Sequence, residues 1–389
     1  MKIAIVVQRY GEEVNGGAEQ MARWLAEHLL CLANVDVITT CAIDYNTWED
    51  IYPSGESEVN GVRIHRFRVD APRVSSMDAK TLAIRYQEHT ISAEIEWVKD
   101  QGPYSSAMLS FIGDSYERYD FFVFVTYLYA PTFFGLPLVS DKAILIPTAH
   151  EEWTIELPVF RAFFQLPELL VYLTEPEMNH VHRVTGNEQV PGVVVGVGIN
   201  TPEDISAARF REKYGVEGEF LIYVGRIDEA KNVPELLEYF ARFQEGYGRD
   251  LKLVLLGKPH FALPQRADIL PLGFVSEQDK FDGLQAATAL VVPSKYESLS
   301  MVVLEAWKVR TPVLVNGRCA VLKHQCRKSN GGLYYHTYDE FALTLQKLLK
   351  NPEMRQKMGR QGENFVNSNY DWAIIIAKFR AIFETLSGR

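Results

Sequence analysis

Cysteine is scarce in this chain. The four residues Cys31, Cys41, Cys319 and Cys326 include no C-x-x-C pair. Neither a zinc ribbon nor a disulfide scaffold is indicated, and reduced thiols in a cytoplasmic protein are the expectation. Positive charge is also in deficit. Forty Lys and Arg face 50 Asp and Glu, for a net charge of −10, which argues against a nucleic-acid partner. The opening MKIAIVVQRY has an apolar run only from Ile3 to Val7, too short for a signal peptide. One uncharged stretch, residues 121–139, has about the length of a membrane span. Pro131, Gly135 and Pro137 interrupt it, which favours a buried strand, a loop and a short helix inside a globular domain. No G-x-x-x-x-G-K-[ST], H-E-x-x-H or G-x-S-x-G occurs.

What is present is alternation. The 389 residues, 47% hydrophobic and 23% charged, have a globular composition and suffice for two domains. Buried strands are expected at 2–7, 35–40, 62–67, 121–125, 143–148, 169–174 and 193–197, with helices at 16–30, 78–100 and 203–214. The pattern restarts with strands at 220–225, 251–257, 289–293 and 312–315, and helices at 233–243, 276–287, 301–309 and 337–350. Alternation without hairpin signals predicts α/β architecture with mainly parallel, doubly wound sheets. The boundary is placed near Gly198, giving domains 1–197 and 198–370. Residues 1–195 hold 14 basic against 27 acidic side chains, a net of −13, and the remainder 26 against 23, a net of +3. The second domain is therefore the expected home of an anionic ligand. The acidic first domain limits membrane contact to peripheral association.

Four motifs stand at the ends of expected strands. In YESLSMVVLEA (296–306), Glu297 and Glu305 are eight apart with no charge between them. Glu297 falls in a loop, and Glu305 is expected about two turns into a helix starting near Ser300. The amides of Ser300, Met301 and Val302 would then offer an anion site. Taken alone, the same glutamates read first as solvated surface residues, the usual place of Glu. In YVGRIDEAKN (223–232), Arg226 and Lys231 suit a diphosphate, or else surface pairing with Asp228 and Glu229. In NGGAEQ (15–20), Gly16 and Gly17 allow close backbone approach to a ligand, or form a plain turn with Glu19 favouring the helix N-terminus. His150, just after a strand, is a site candidate or a structural histidine. D-x-D, the pair of aspartates that commonly holds a divalent ion on a diphosphate, is absent.

Taken in order along the chain, GGAEQMARWLAEHL, VVVGVGIN, YVGRIDEAKNVPELLEYF, LPLGFVSEQDKFDGLQAATALVVPSKYESLSMVVLEAW and SNYDWAIIIAKFRAIFETL resemble the retaining glycosyltransferases of family 4. The resemblance implies the GT-B fold, two Rossmann-like domains facing across a cleft, with residues 371–389 as a helix returning to the first domain. It implies transfer of a sugar from a nucleotide diphosphate sugar to a hydroxyl in glycan or polysaccharide biosynthesis, without a metal. The acceptor would be a glycan, a lipid-linked glycan or a small molecule, and the protein a monomer or dimer. Arg226 and Lys231 would neutralise the diphosphate, and Glu305 would hold the ribose. Glu297, with the backbone of Ser298, Leu299, Ser300, Met301 and Val302, would bind the donor sugar. Gly16 and Gly17 would approach the phosphate, and His150 the sugar. SLSMVV follows the first glutamate where the family often has glycines and a proline. A sugar-nucleotide epimerase on the same scaffold and a non-catalytic nucleotide-sugar-binding protein are the alternatives.

Overall fold

The computed structural model describes residues 1–73, 76–248 and 250–388. The chain divides into two compact units. The first is Met1–Gly198 together with Trp372–Arg389, and the second is Ile199–Asp371.

The first unit is built on eight strands: β1 (Lys2–Val6), β2 (Asn34–Thr40), β3 (Gly55–Val59), β4 (Val62–Phe67), β5 (Phe121–Val125), β6 (Ala143–Ile146), β7 (Leu169–Tyr172) and β8 (Gly192–Val194). Their order across the sheet is β3-β4-β2-β1-β5-β6-β7-β8. Every pairing is parallel except β3 with β4. That hairpin corrects the expectation of no hairpin. Asn60 and Gly61 both take positive φ, 51° and 80°, the turn geometry that Asn-Gly favours. The uncharged stretch at 121–139 is β5, the helix Ala130–Gly135 and a 3₁₀ turn over Leu136–Lys142. Among the described residues no helix is long and apolar enough to cross a membrane.

Two further expectations are corrected here. The helix expected over 78–100 is two helices, Met77–Tyr86 and Ile91–Gln101. Gln87, extended at φ −117° and ψ 158°, ends the first, and Thr90, whose hydroxyl accepts from the Ala93 amide at 3.2 Å, starts the second. The strand expected at 193–197 ends at Val194. The helix Trp372–Ser387 belongs to the first unit. There Trp372 stacks on His28 with centroids 3.8 Å apart, and Lys378 Nζ donates to the Val195 carbonyl at 2.9 Å.

The second unit carries β9 (Glu219–Val224), β10 (Leu251–Leu256), β11 (Ile269–Gly273), β12 (Ala289–Val292), β13 (Val313–Asn316) and β14 (Gly332–Tyr335). The order is β11-β10-β9-β12-β13-β14, and all pairings are parallel. Phe220, Leu221 and Ile222 of β9 and Ala289, Leu290 and Val291 of β12 are fully buried, as parallel strands covered on both faces must be. The sheet is wound outward in both directions from the β9–β12 pair. The crevice beyond the carboxyl ends of such a pair is where doubly wound sheets take their ligands.

Candidate functional site

The sequence leaving β9 carries Arg226 and Lys231, and the sequence leaving β12 carries Glu297. Both therefore lie at the point where the strand order reverses. The Tyr223 hydroxyl donates to the Arg226 carbonyl at 2.6 Å. Asp228 accepts from the Lys231 amide at 2.8 Å. Asn232, held at φ 59°, precedes the helix Val233–Tyr247. Its side chain donates both to Glu235 at 2.8 Å and to the Pro293 carbonyl at 3.1 Å. One asparagine thus ties the loop after β9 to the loop after β12. From the other flank, Gln325 donates to the Leu299 carbonyl at 2.6 Å.

These ties bring Lys231 and Glu297 together, with Nζ 2.7 Å from Oε1 and side-chain exposures of 28% and 14%. Arg226 is ion-paired with Asp228 at 3.4 Å and is about half exposed. Of the surface pairing foreseen for these cations, the Asp228 contact forms, whereas Lys231 reaches across to Glu297 instead.

Ser298 and Leu299 continue the loop to Ser300, whose φ is 63°. A left-handed serine is sparsely populated and stores strain. It turns the chain into the helix Met301–Lys308. The Met301 and Val302 amides lie in that helix's first turn, where backbone donors have no intrahelical partner. Glu305 is the fifth residue of the helix, so it stands little more than one turn in, not two. It is buried, which removes the solvated alternative. Its Oε1 accepts from Lys280 Nζ at 2.9 Å, and Lys280 also pairs with Glu277 at 2.8 Å. Burial raises the Glu305 pKa, and Lys280 opposes that rise. Burial works against the Lys280 charge, but Glu305 and Glu277 outweigh it and raise its pKa.

Gly16, Gly17 and His150 lie in the first unit. Gly16 precedes the helix Gly17–Leu29 that follows β1. A Cβ on Gly16 would fall 2.1 Å from Glu19 Oε2, whereas Gly17 has open space around it. Glu19 stands in the first turn of that helix. It is buried and accepts from Arg9 Nε at 3.0 Å and Gln8 Nε2 at 2.8 Å. Arg9 also donates to the Asn15 carbonyl at 3.2 Å, so it braces the glycine loop from below.

His150 follows β6, the second strand from β1 across the sheet, and its Nδ1 lies 3.8 Å from Glu152 Oε2. The turn carrying it is fixed twice. Glu177 accepts from the Ala149 amide at 2.7 Å and the Leu173 amide at 2.6 Å. Thr126 and Thr148, both β-branched and both left-handed at φ 70° and 52°, are joined at 3.0 Å through their hydroxyls. Both threonines thus hold sparsely populated backbone conformations at neighbouring strand ends.

Sequence reasoning missed Lys280, Glu177 and Asn232. A signal existed for Lys280, because it shares the i, i+4, i+7 face of its helix with Leu284 and Ala287, where a lysine is out of place.

The family described as "Glycosyl transferases group 1" matches residues 204–365. The match covers 162 of the 389 residues. The chain is 27% identical over 179 residues to alpha-D-kanosaminyltransferase of Streptomyces kanamyceticus, covering 42% of this chain and 45% of that protein. It is 31% identical over 222 residues to D-inositol 3-phosphate glycosyltransferase of Kineococcus radiotolerans, covering 49% and 51%. The chain thus spans about half the length of the curated relatives it matches. Among solved structures, sucrose-phosphate synthase from Thermosynechococcus elongatus superposes over 100% of this chain and 99% of that one, with TM-score 0.74 and 16% identity. Anabaena HepE, in complex with UDP and glucose, covers 100% of both chains with TM-score 0.69 and 14% identity. These likenesses are of fold, and the fold is GT-B. The matched residues enclose the second unit's β9–β14 sheet, and with it Arg226, Lys231, Glu297 and Glu305.

Proposed function

We propose that the protein is a retaining glycosyltransferase. It would move a sugar from a nucleoside diphosphate sugar to an acceptor hydroxyl in glycan or polysaccharide biosynthesis. The observation that carries this is the pair of lysine–glutamate contacts at the reversal point of the second sheet. Lys231–Glu297 is within reach of solvent, and Lys280–Glu305 is buried. A nucleoside diphosphate sugar needs cations for its phosphates and acceptors for its hydroxyls, and this edge of the sheet supplies both. That HepE is named as binding UDP and glucose makes uridine the first base to test.

In the proposed roles Arg226 and Lys231 meet the charge that develops on the departing diphosphate, a fixed electrostatic contribution of the kind that dominates many transition states. Glu297 and the backbone from Ser298 to Val302 hold the donor sugar, and Glu305 the ribose. The bond from the anomeric carbon to the diphosphate oxygen breaks, the acceptor oxygen bonds to the same face, and its proton passes to the leaving diphosphate. No metal is assigned a part.

The test is a panel of UDP-, GDP- and ADP-sugars screened by ligand-observed NMR, then transfer to hydroxyl acceptors in the presence of excess EDTA. Retention is expected in the product's anomeric signal. An inverted product refutes the stereochemistry. Full loss in EDTA restored by Mg²⁺ refutes metal independence. Epimerised donor without any acceptor establishes the epimerase alternative instead.

A further inference from the structure

Lys280 has no part in the chemistry just proposed, yet it is 8% exposed and buried against the site. Burying an ammonium costs free energy unless it is closely paired. Here Nζ lies 2.9 Å from Glu305 Oε1 and 2.8 Å from Glu277 Oε2. An apolar side chain could continue the face of Leu284 and Ala287 at lower desolvation cost, so the charge calls for a task.

The two lysine–glutamate pairs differ in a way that suggests it. Lys231–Glu297 has side-chain exposures of 28% and 14%, and an incoming anion can exchange into it. Lys280–Glu305 has exposures of 10% and 4%, so this pair stays closed. It occupies one oxygen of Glu305. Among the described residues nothing donates to the other, Oε2. Glu277, 56% exposed, holds Lys280 from the outer side.

We propose that Lys280 is a positioning residue that locks the Glu305 carboxylate through Oε1, so that Oε2 accepts from the ribose hydroxyls of the bound nucleoside diphosphate. This rests on the assignment of Glu305 to the ribose. Without the lock the carboxylate is free to turn about its terminal torsion, which is broad and two-fold. With Lys280 gone, the nearest charge facing Glu305 is Glu277, a like charge that disfavours the ionised acceptor.

The experiment compares UDP with 2′,3′-dideoxy-UDP by calorimetry. Wild type is expected to prefer the ribose form by about tenfold or more, the worth of a hydrogen bond to a charged group. Lys280→Met is expected to reduce that preference below about threefold while binding the dideoxy form as wild type does, which a misfolded protein could not do. Lys280→Arg is expected to restore the preference. A tenfold preference surviving in Lys280→Met overturns the proposal. If Lys280→Met loses both ligands, Lys280→Arg decides, and a thermally stable Arg variant without preference overturns it. Glu305→Gln separates the underlying assignment. A wild type without preference, or a Glu305→Gln variant that keeps it, refutes the ribose role itself, whatever Lys280 does.

Discussion

Replacing Glu297 with Gln keeps the side chain's shape and removes one negative charge next to Lys231. It is expected to tighten binding of a bare nucleoside diphosphate while transfer falls. The magnitude comes from the 2.7 Å contact and its partial burial. At an effective dielectric of ~20, two unit charges at that distance attract by about 6 kcal/mol before desolvation. Exposed pairs retain up to about 1 kcal/mol net, and hydrogen bonds to charged groups about 1.5–3 kcal/mol. A pair less than a third exposed falls between these, at about 1–2 kcal/mol. A diphosphate that recruits Lys231 gives up part of that contact, and with Gln it gives up less. A gain of about 1 kcal/mol, or roughly fivefold in Kd, follows. Transfer needs the carboxylate on the sugar, so kcat should drop by ~10²-fold or more. Calorimetry with UDP, run beside a transfer assay at the same salt concentration, measures both. Tenfold weaker UDP binding would refute the reasoning, because it would put Glu297 on the nucleotide. Unchanged binding and unchanged rate would make the contact a surface pair.

Arg226→Ala should cost ~10²–10³ in rate, as expected for one group meeting developing charge, and a kcat/KM equal to wild type would move the diphosphate elsewhere. Gly16→Ala should destabilise by about 1–3 kcal/mol, because its Cβ must displace the buried Glu19 carboxylate 2.1 Å away. Gly17→Ala, with open space, should be near neutral, and thermal melts of the two variants check the contrast. Burial alone would raise the pKa of Asp36, but His65, Tyr119 and Lys2 outweigh it and hold the carboxyl far below its usual range. A depressed folded-state value gives stability that is present above the unfolded pKa of ~3.9 and is lost as pH falls below it. Urea midpoints should therefore fall between pH 7 and pH 3 by less in Asp36→Asn than in wild type, and parallel falls would contradict the assignment.

The strands that were legible in the sequence are the central ones. β1, β5, β9 and β12 are buried on both faces, so they read as unbroken apolar runs. The three that went unread, β3, β11 and β14, are all sheet edges. β3 is GESEV and largely exposed, β11 contains Pro271, and β14 is the four residues GLYY. An edge strand has one neighbour and little to bury, so its pattern fades and proline becomes tolerable. For the site, the strand-end rule brought out Arg226, Lys231 and Glu297, because those positions are fixed by topology. The partner of each could not be read. Lys231 seemed due to meet Asp228 or Glu229 nearby in sequence, and it meets a glutamate 66 residues away. Lys280 and Glu305 are 25 apart, on different helices, and only tertiary packing pairs them.

The return of Trp372–Ser387 to the first unit makes the second unit an insertion inside the first. A Cβ on Gly198 would sit 2.3 Å from the Trp372 ring, so the outgoing and returning segments touch as they leave the first unit. During synthesis the second unit, Ile199–Asp371, can therefore fold as one continuous stretch. The first unit must wait for its last helix, whose Phe383 stacks on Phe121 at 5.3 Å. Vectorial order is reversed for this chain: the portion made first is completed last. Until then Phe121 at the start of β5 and the face of the first helix near His28 lack the cover of that last helix on the ribosome, where a chaperone would find them.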